Sequence, residues 1–498
     1  MLPLWLVTYL PMVDYPQQLA LAAILRWYGD PVRHFQDTYT LALWTPHGLF
    51  KLLVAGLAWA VPIETAGKVV LSLSLLGVGA AALALCRRTG RPAAYALLAL
   101  AMTYNYTFFW GFVDNLIAYP LVLGGAAMAD RLLDRRFSAG SWLAVAGLGL
   151  LFYTVHLQFL LIYAGTVGWL ALCRLPGWRR LALWGSALVP CVAATAAVMA
   201  YAVLQSRAGV ISGYEMRMRS SPTLRLPVWV KLAQVPDLLF GRYPDLTAWV
   251  LFALLLAVAL VAVAFRDRDG GSLRRPWRET LFRTRFASLA AWLGALYLTL
   301  PEFREGYLIA DRIAPLAVMV AVVALPAPAP ARRRLVAVLA VALAVFQLGQ
   351  TASGFLRFRA ESAGLEELLA GTEPGQSLVG LIYEQESASW PGVPVYVHYP
   401  AWYQVEKGGR LLFSFAELFQ TSARIKPGRS WDGLLREWEE QRFSYERYGD
   451  FRYFLVRGSP EAVMAAFRGD PARLGLRGRT AGRWWLFERA GEPPPAAR

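Results

Sequence analysis

Two carboxylates stand where one apolar run gives way to the next. Asp14 follows Pro11-Met12-Val13 and precedes Tyr15-Pro16-Gln17-Gln18, and Asp114 lies in Phe112-Val113-Asp114-Asn115-Leu116. An acid at the exit of a membrane span is costly to hold unless it faces a cavity or a partner, so by default it marks a functional site. Each acid alone also reads as a helix cap, Asp14 with Pro16 in the first turn that follows it. Together, at one membrane face, they suit a general base and an orienting acid or metal ligand. The groups around them suit an anion. His156 and Gln158 sit where two apolar runs meet, Arg217 and Arg219 lie in a long loop, and Arg312 stands at the mouth of a later run. Such side chains hold phosphate through charge-assisted hydrogen bonds. The plainer alternatives are a solvated loop face for Arg217 and Arg219, and an ion-pair network of Arg304 and Arg312 with Glu302, Glu305 and Asp311. His47 is a further substrate-contact candidate, while His34, His47 and His398 show no spacing that specifies a metal site.

Composition decides what must position these groups. With 57% hydrophobic residues and 19 Trp in 498 residues, and a mean hydropathy of +0.39, the chain is too apolar for a soluble enzyme. It reads as an α-helical polytopic membrane protein. A net charge of +16 would suggest nucleic acid in a soluble protein, but many of these arginines fall in short loops between apolar runs, where they set orientation. No nucleic-acid partner is expected. Cys86, Cys173 and Cys191 lie in or at the ends of apolar runs without paired spacing, so neither a disulfide framework nor a zinc site is indicated.

About eleven spans are expected, at residues 1–13, 66–86, 93–109, 113–132, 142–156, 157–173, 181–205, 246–265, 286–300, 313–325 and 335–350. The first reaches only about 20 Å as a helix, short of the roughly 30 Å hydrocarbon core. It is either tilted into a thinned site or begins upstream, the second being preferred. Residues 14–65 are amphipathic and suit interfacial helices in an outer loop. Basic clusters at Arg87/Arg88/Arg91, Arg131/Arg135/Arg136, Arg174/Arg179/Arg180, 266–285 and Arg332–Arg334 fall on one side, which is therefore cytoplasmic. Residues 1–350 then form a membrane domain. Residues 351–498, mixing strand-like runs at 378–383, 451–456 and 484–487 with helix-like runs at 431–442 and 460–468, form a small extracytoplasmic α/β domain.

Asp14-Tyr15-Pro16-Gln17-Gln18, followed by Ile24-Leu25-Arg26-Trp27-Tyr28-Gly29-Asp30, resembles the first outer-loop acidic motif and interfacial helix of the GT-C superfamily. Phe112-Val113-Asp114-Asn115-Leu116 resembles its second acidic position, as in the aminoarabinose and protein mannosyl transferases. The resemblance covers the architecture of most of the chain and is local in sequence. It implies a glycosyltransferase that moves a sugar from a polyprenyl-phosphate donor to a lipid, glycan or protein acceptor outside a bacterial cytoplasmic membrane. Asp14 would then be the acid/base or acceptor-binding carboxylate and Asp114 its partner. Where those transferases place a lysine to meet lipid phosphate, this chain offers His156, and Tyr15 stands where a second acid would follow Asp14. No cofactor is fixed, and a divalent metal stays open. A transporter or lipid flippase, or a non-catalytic scaffold keeping the fold, are the alternatives.

Overall fold

The computed structural model describes residues 1–43, 45–174, 177–207, 223–267, 277–303, 308–418, 421–426, 435 and 438–489. The described chain is mostly helical, with a small sheet near its C-terminus. It divides into two compact units, Leu71–Phe108 with Phe112–Ala352, and Leu2–Val70 with Phe109–Gly111 and Ser353–Arg498.

The first unit is a helical bundle. Four helices among the described residues are long and apolar enough to cross a membrane: Ile63–Thr89, Leu157–Arg174, Thr247–Ala264 and Pro330–Glu361. A fifth arises if Trp178–Ser186 and Val189–Tyr201, bent by 50° at their junction, act as one. Pro190 sits in the first turn of the second of that pair, where its missing N–H costs nothing and restarts the helix. The outward faces of these helices carry Leu73, Leu161, Val250 and Leu260, apolar surface that only a lipid-like surrounding makes favourable. Helices of this length and composition are consistent with a membrane protein.

Other expected spans take shorter or interrupted forms. Residues 142–156 fall in Ala139–Val155, 286–300 in Arg285–Thr299 and 313–325 in Ile313–Ala324. Val113–Leu132 has 20 residues but carries Asp114, Asp130 and Arg131. Residues 93–109 are not one helix: Ala94–Ala101 ends, and Tyr106–Phe109 restarts. Asn105 makes the break, its Nδ2 donating to the Met102 carbonyl (2.9 Å) while its Oδ1 accepts from Phe108 N (3.0 Å). A short amide side chain thus takes over backbone groups that a continuous helix would pair. Residues 1–13 also depart from expectation, forming a 3₁₀ turn at Leu2–Trp5 and then irregular chain. Pro3 and Pro11 donate no backbone N–H, and Pro11 disfavours a helical Leu10.

One carboxylate ties four helix ends of this bundle together. Asp130, fully buried near the end of Val113–Leu132, accepts from Arg88 Nε (2.8 Å), Arg174 Nε (3.1 Å) and Arg285 Nε (2.7 Å). Those arginines lie at the ends of Ile63–Thr89, Leu157–Arg174 and Arg285–Thr299. Half-exposed Asp134 pairs with Arg88 and Arg174 as well.

The second unit joins the N-terminal segment to the C-terminal one. Its sheet has strands β1 (Ser377–Ile382), β2 (Arg410–Leu411), β3 (Tyr453–Arg457), β4 (Leu476–Ala481) and β5 (Trp484–Arg489), in the order β2-β1-β3-β5-β4. β1 is parallel to β2 and β3, and β5 is antiparallel to β3 and β4. The burial of all five β3 side chains matches its apolar sequence and central place. One face packs on Phe443, Phe451 and Phe467. Strand-like runs at 378–383, 451–456 and 484–487 and the helix at 460–468 are found in place, whereas half of 431–442 lies outside the described residues and its end, Glu440–Arg442, is a 3₁₀ turn. Helix Tyr15–Arg26 packs against Leu49–Leu57 and Ala401–Lys407. Buried on nearly all sides, it is Ala/Leu-rich throughout.

Candidate functional site

Asp14 is held by backbone as much as by its helix. Val13 N and Asp14 N donate to the carbonyls of Phe109 (2.9 Å) and Trp110 (3.0 Å). The chain turns away at Gly111, which has φ +76° and on which a Cβ would lie 2.7 Å from Asp14 N and from Tyr15 N. Only glycine fits so close an approach in that conformation. Asp14 is the N-cap residue of Tyr15–Arg26, yet its side chain makes no capping hydrogen bond. The carboxylate turns instead to His398, whose Nδ1 is 3.1 Å from Asp14 Oδ1. That approach is a close contact, not aligned as a hydrogen bond to that oxygen.

The His398 ring is 5% exposed and fixed by its neighbours. Phe413 stacks on it (5.6 Å, 17°) and Phe415 meets it edge-on (5.0 Å, 79°). Gln17, one turn along the helix from Asp14, pins the segment bearing those rings. Its Oε1 accepts from Phe415 N (3.1 Å) and its Nε2 donates to the Phe413 carbonyl (3.4 Å). Beside them is a cavity of about 30 Å³ lined by Gln17, His398, Phe413 and Glu440, among others. It has room for about one water. A carboxylate against an imidazole next to such a space can accept a proton and pass it on.

The first unit assembles most of the expected phosphate-binding set. His156 caps Ala139–Val155 and opens into Leu157–Arg174. Its Nδ1 accepts from Gln158 N (3.1 Å), and Arg312 Nη1 lies 2.9 Å from its Nε2. The tautomer decides whether Nε2 accepts from Arg312, and in either one the guanidinium and the imidazole meet at one point, a pairing that suits an anion. Arg312 lies over the Phe112 ring (3.8 Å), and its carbonyl accepts from Tyr119 OH (3.0 Å). Gln158 Nε2 donates to the Ile309 carbonyl (2.8 Å). Asp114 is buried in the first turn of Val113–Leu132, the helix that also carries Tyr119.

Next to Arg312, burial and the neighbouring Glu302 push the Asp311 carboxyl up to about 7, against Lys231, Arg312 and Arg242. Lys231 Nζ donates to the carbonyls of Tyr297 (2.8 Å) and Leu300 (2.5 Å) and is 3.4 Å from Glu302. An Asp311 that ionises near 3.8 when unfolded and near 7 when folded favours the protonated native state. The stability it contributes is present in full below the lower value and is lost as pH rises through the higher one. Melting temperatures in lipid are expected to fall for the wild type relative to Asp311→Asn from about pH 5 to about pH 8. A gap that closes as pH rises would contradict the burial argument.

The other candidates are placed differently. His47 belongs to the second unit, has φ +64°, and its carbonyl accepts from Lys51 Nζ (2.5 Å). Arg217 and Arg219 lie outside the described residues. Among the described residues no group of three or more His, Cys, Asp or Glu is placed to hold a metal ion. His398 escaped the sequence argument because its spacing to the other histidines specifies nothing, and its partner lies near the opposite end of the chain. No family model, curated protein or solved structure matches the chain.

Proposed function

We propose that this protein is an integral-membrane glycosyltransferase of the GT-C type, moving a sugar from a polyprenyl-phosphate donor to an extracytoplasmic lipid, glycan or protein acceptor. The carrying observation is the Asp14–His398 pair: an acid at the end of an apolar segment, released from capping and set against a buried, ring-stacked imidazole. The basic clusters would face the cytoplasm of a bacterial cell, with the C-terminal segment outside. The shorter apolar helices would supply further crossings toward the expected eleven.

In the reaction, the acceptor O–H or N–H bond breaks and its proton goes to Asp14. The acceptor atom bonds to the sugar's anomeric carbon, and the bond from that carbon to the phosphate oxygen breaks. Polyprenyl phosphate leaves with the bonding electrons. His398 orients Asp14 and steadies its charge. In the other unit, the Arg312–His156 pair suits an anionic oxygen and would serve a phosphate group, with Asp114 as the second carboxylate candidate.

The test is transfer by purified protein in lipid, with a panel of radiolabelled polyprenyl-phosphate sugars and an envelope extract as acceptor. Label is expected to pass from one donor to the extract. No transfer with any donor, in a folded sample, would sink the enzyme assignment, and label crossing sealed vesicles unchanged would point to a transporter.

A further inference from the structure

Two asparagines of the first unit are fully buried, and they are satisfied in opposite ways. Asn105 donates to the Met102 carbonyl (2.9 Å) and accepts from Thr107 Oγ1 (2.6 Å) and Phe108 N (3.0 Å). Asn115 is 0% exposed, and among the described residues neither its Oδ1 nor its Nδ2 has a hydrogen-bond partner. A primary amide offers two donors and two lone pairs, and burying all of them unpaired is strongly unfavourable. Asn105 builds a turn, whereas the Asn115 amide makes no hydrogen bond among the described residues.

Its surroundings indicate what the amide is for. Asn115 N donates to the Phe112 carbonyl (2.9 Å), and the Phe112 ring carries the Arg312 guanidinium. One turn further, Tyr119 OH donates to the Arg312 carbonyl. Gln158, next but one to His156, spends its Nε2 on Ile309, while its Oε1 has no hydrogen-bond partner among the described residues. The elements that hold the Arg312–His156 pair therefore also hold neutral amide groups. Guanidinium and imidazole N–H groups suit an anion, and a neutral amide, both donor and acceptor, suits a hydroxyl.

We propose that Asn115 is a specificity-determining residue that hydrogen-bonds a hydroxyl of the sugar joined to the donor phosphate. This rests on the donor assignment above. The full chain in phosphatidylcholine nanodiscs is titrated with two probes, a polyprenyl phosphate and the same lipid carrying a hexose. Wild type is expected to bind the hexosyl lipid more tightly. Asn115→Leu should lose about tenfold or more of that affinity, leave the bare phosphate unaffected, and melt at the same or a higher temperature, because an orphaned amide has been removed. Asn115→Ala, which adds no volume, is read in the same way if the leucine variant fails to fold. A lower melting temperature for both variants would make the amide structural and overturn the proposal, as would an unchanged sugar preference. Wild type binding both probes equally overturns it alone, and wild type binding neither removes the donor assignment and the proposal together.

Discussion

Replacing Asp14 by Asn is expected to lower sugar transfer by about 10²–10⁴-fold, the range for loss of a positioned general base, while folding and donor binding persist. The substitution keeps the size of the side chain and removes only its charge and basicity. It leaves untouched the bonds from Val13 N and Asp14 N to the Phe109 and Trp110 carbonyls. Helix Tyr15–Arg26 should start where it does now, because the Asp14 side chain makes no capping bond to lose. A capping role would instead predict a stability loss of about 0.5–2 kcal/mol for Asp14→Ala. His398→Gln supplies a second readout: as a positioning residue, His398 should cost less rate than Asp14, and its loss should move the pH–rate profile. The comparison is made with single-turnover transfer and circular dichroism on the same preparations. A fully active Asp14→Asn would remove the base assignment, and an unfolded one would return Asp14 to a structural role.

Some of this was legible in the sequence for a physical reason. Asp14, Asp114, His156 and Arg312 are polar groups at the ends of apolar runs, where burial makes them conspicuous. Two of them, His156 and Arg312, meet within hydrogen-bonding distance. Long uniform runs such as Thr247–Ala264 were readable because a spanning helix must satisfy its own backbone. What was not legible depends on tertiary pairing. His398 gains meaning only when the fold brings it to Asp14, which lies far away in the chain. Asn105 and Asn115 look alike in the chain, and only the bonds around each separate a helix breaker from a candidate ligand group. The first thirteen residues misled because their apolarity reflects burial at Leu4, Leu10, Met12 and Val13, while Pro3 and Pro11 were the signals against a continuous helix.

The arginines of the basic clusters show the same limit, and they set the second large expectation. As topology signals, Arg88, Arg174 and Arg285 would be exchangeable with any exposed cation. In the fold, all three side chains reach Asp130, which is fully buried. Removing one partner of a buried charge cluster leaves the others desolvated and uncompensated, at a cost of about 3–5 kcal/mol. Asp130→Ala is therefore expected to destabilise the bundle by that amount. Asp134→Ala should cost about 0–1 kcal/mol, since its carboxylate is 46% exposed and screened. Unfolding in lipid–detergent mixtures compares the two, and equal losses would show that the Asp130 cluster does not hold the helix ends. Asp130→Asn separates charge from shape: it retains one acceptor for Arg285 Nε but withdraws the countercharge from three guanidiniums, so its loss should fall between those of the two alanine variants. If adding Arg285→Leu to Asp130→Ala recovers part of the loss, the cost comes from stranded charge and not from a cavity, because a cavity would only grow less well packed with the second change.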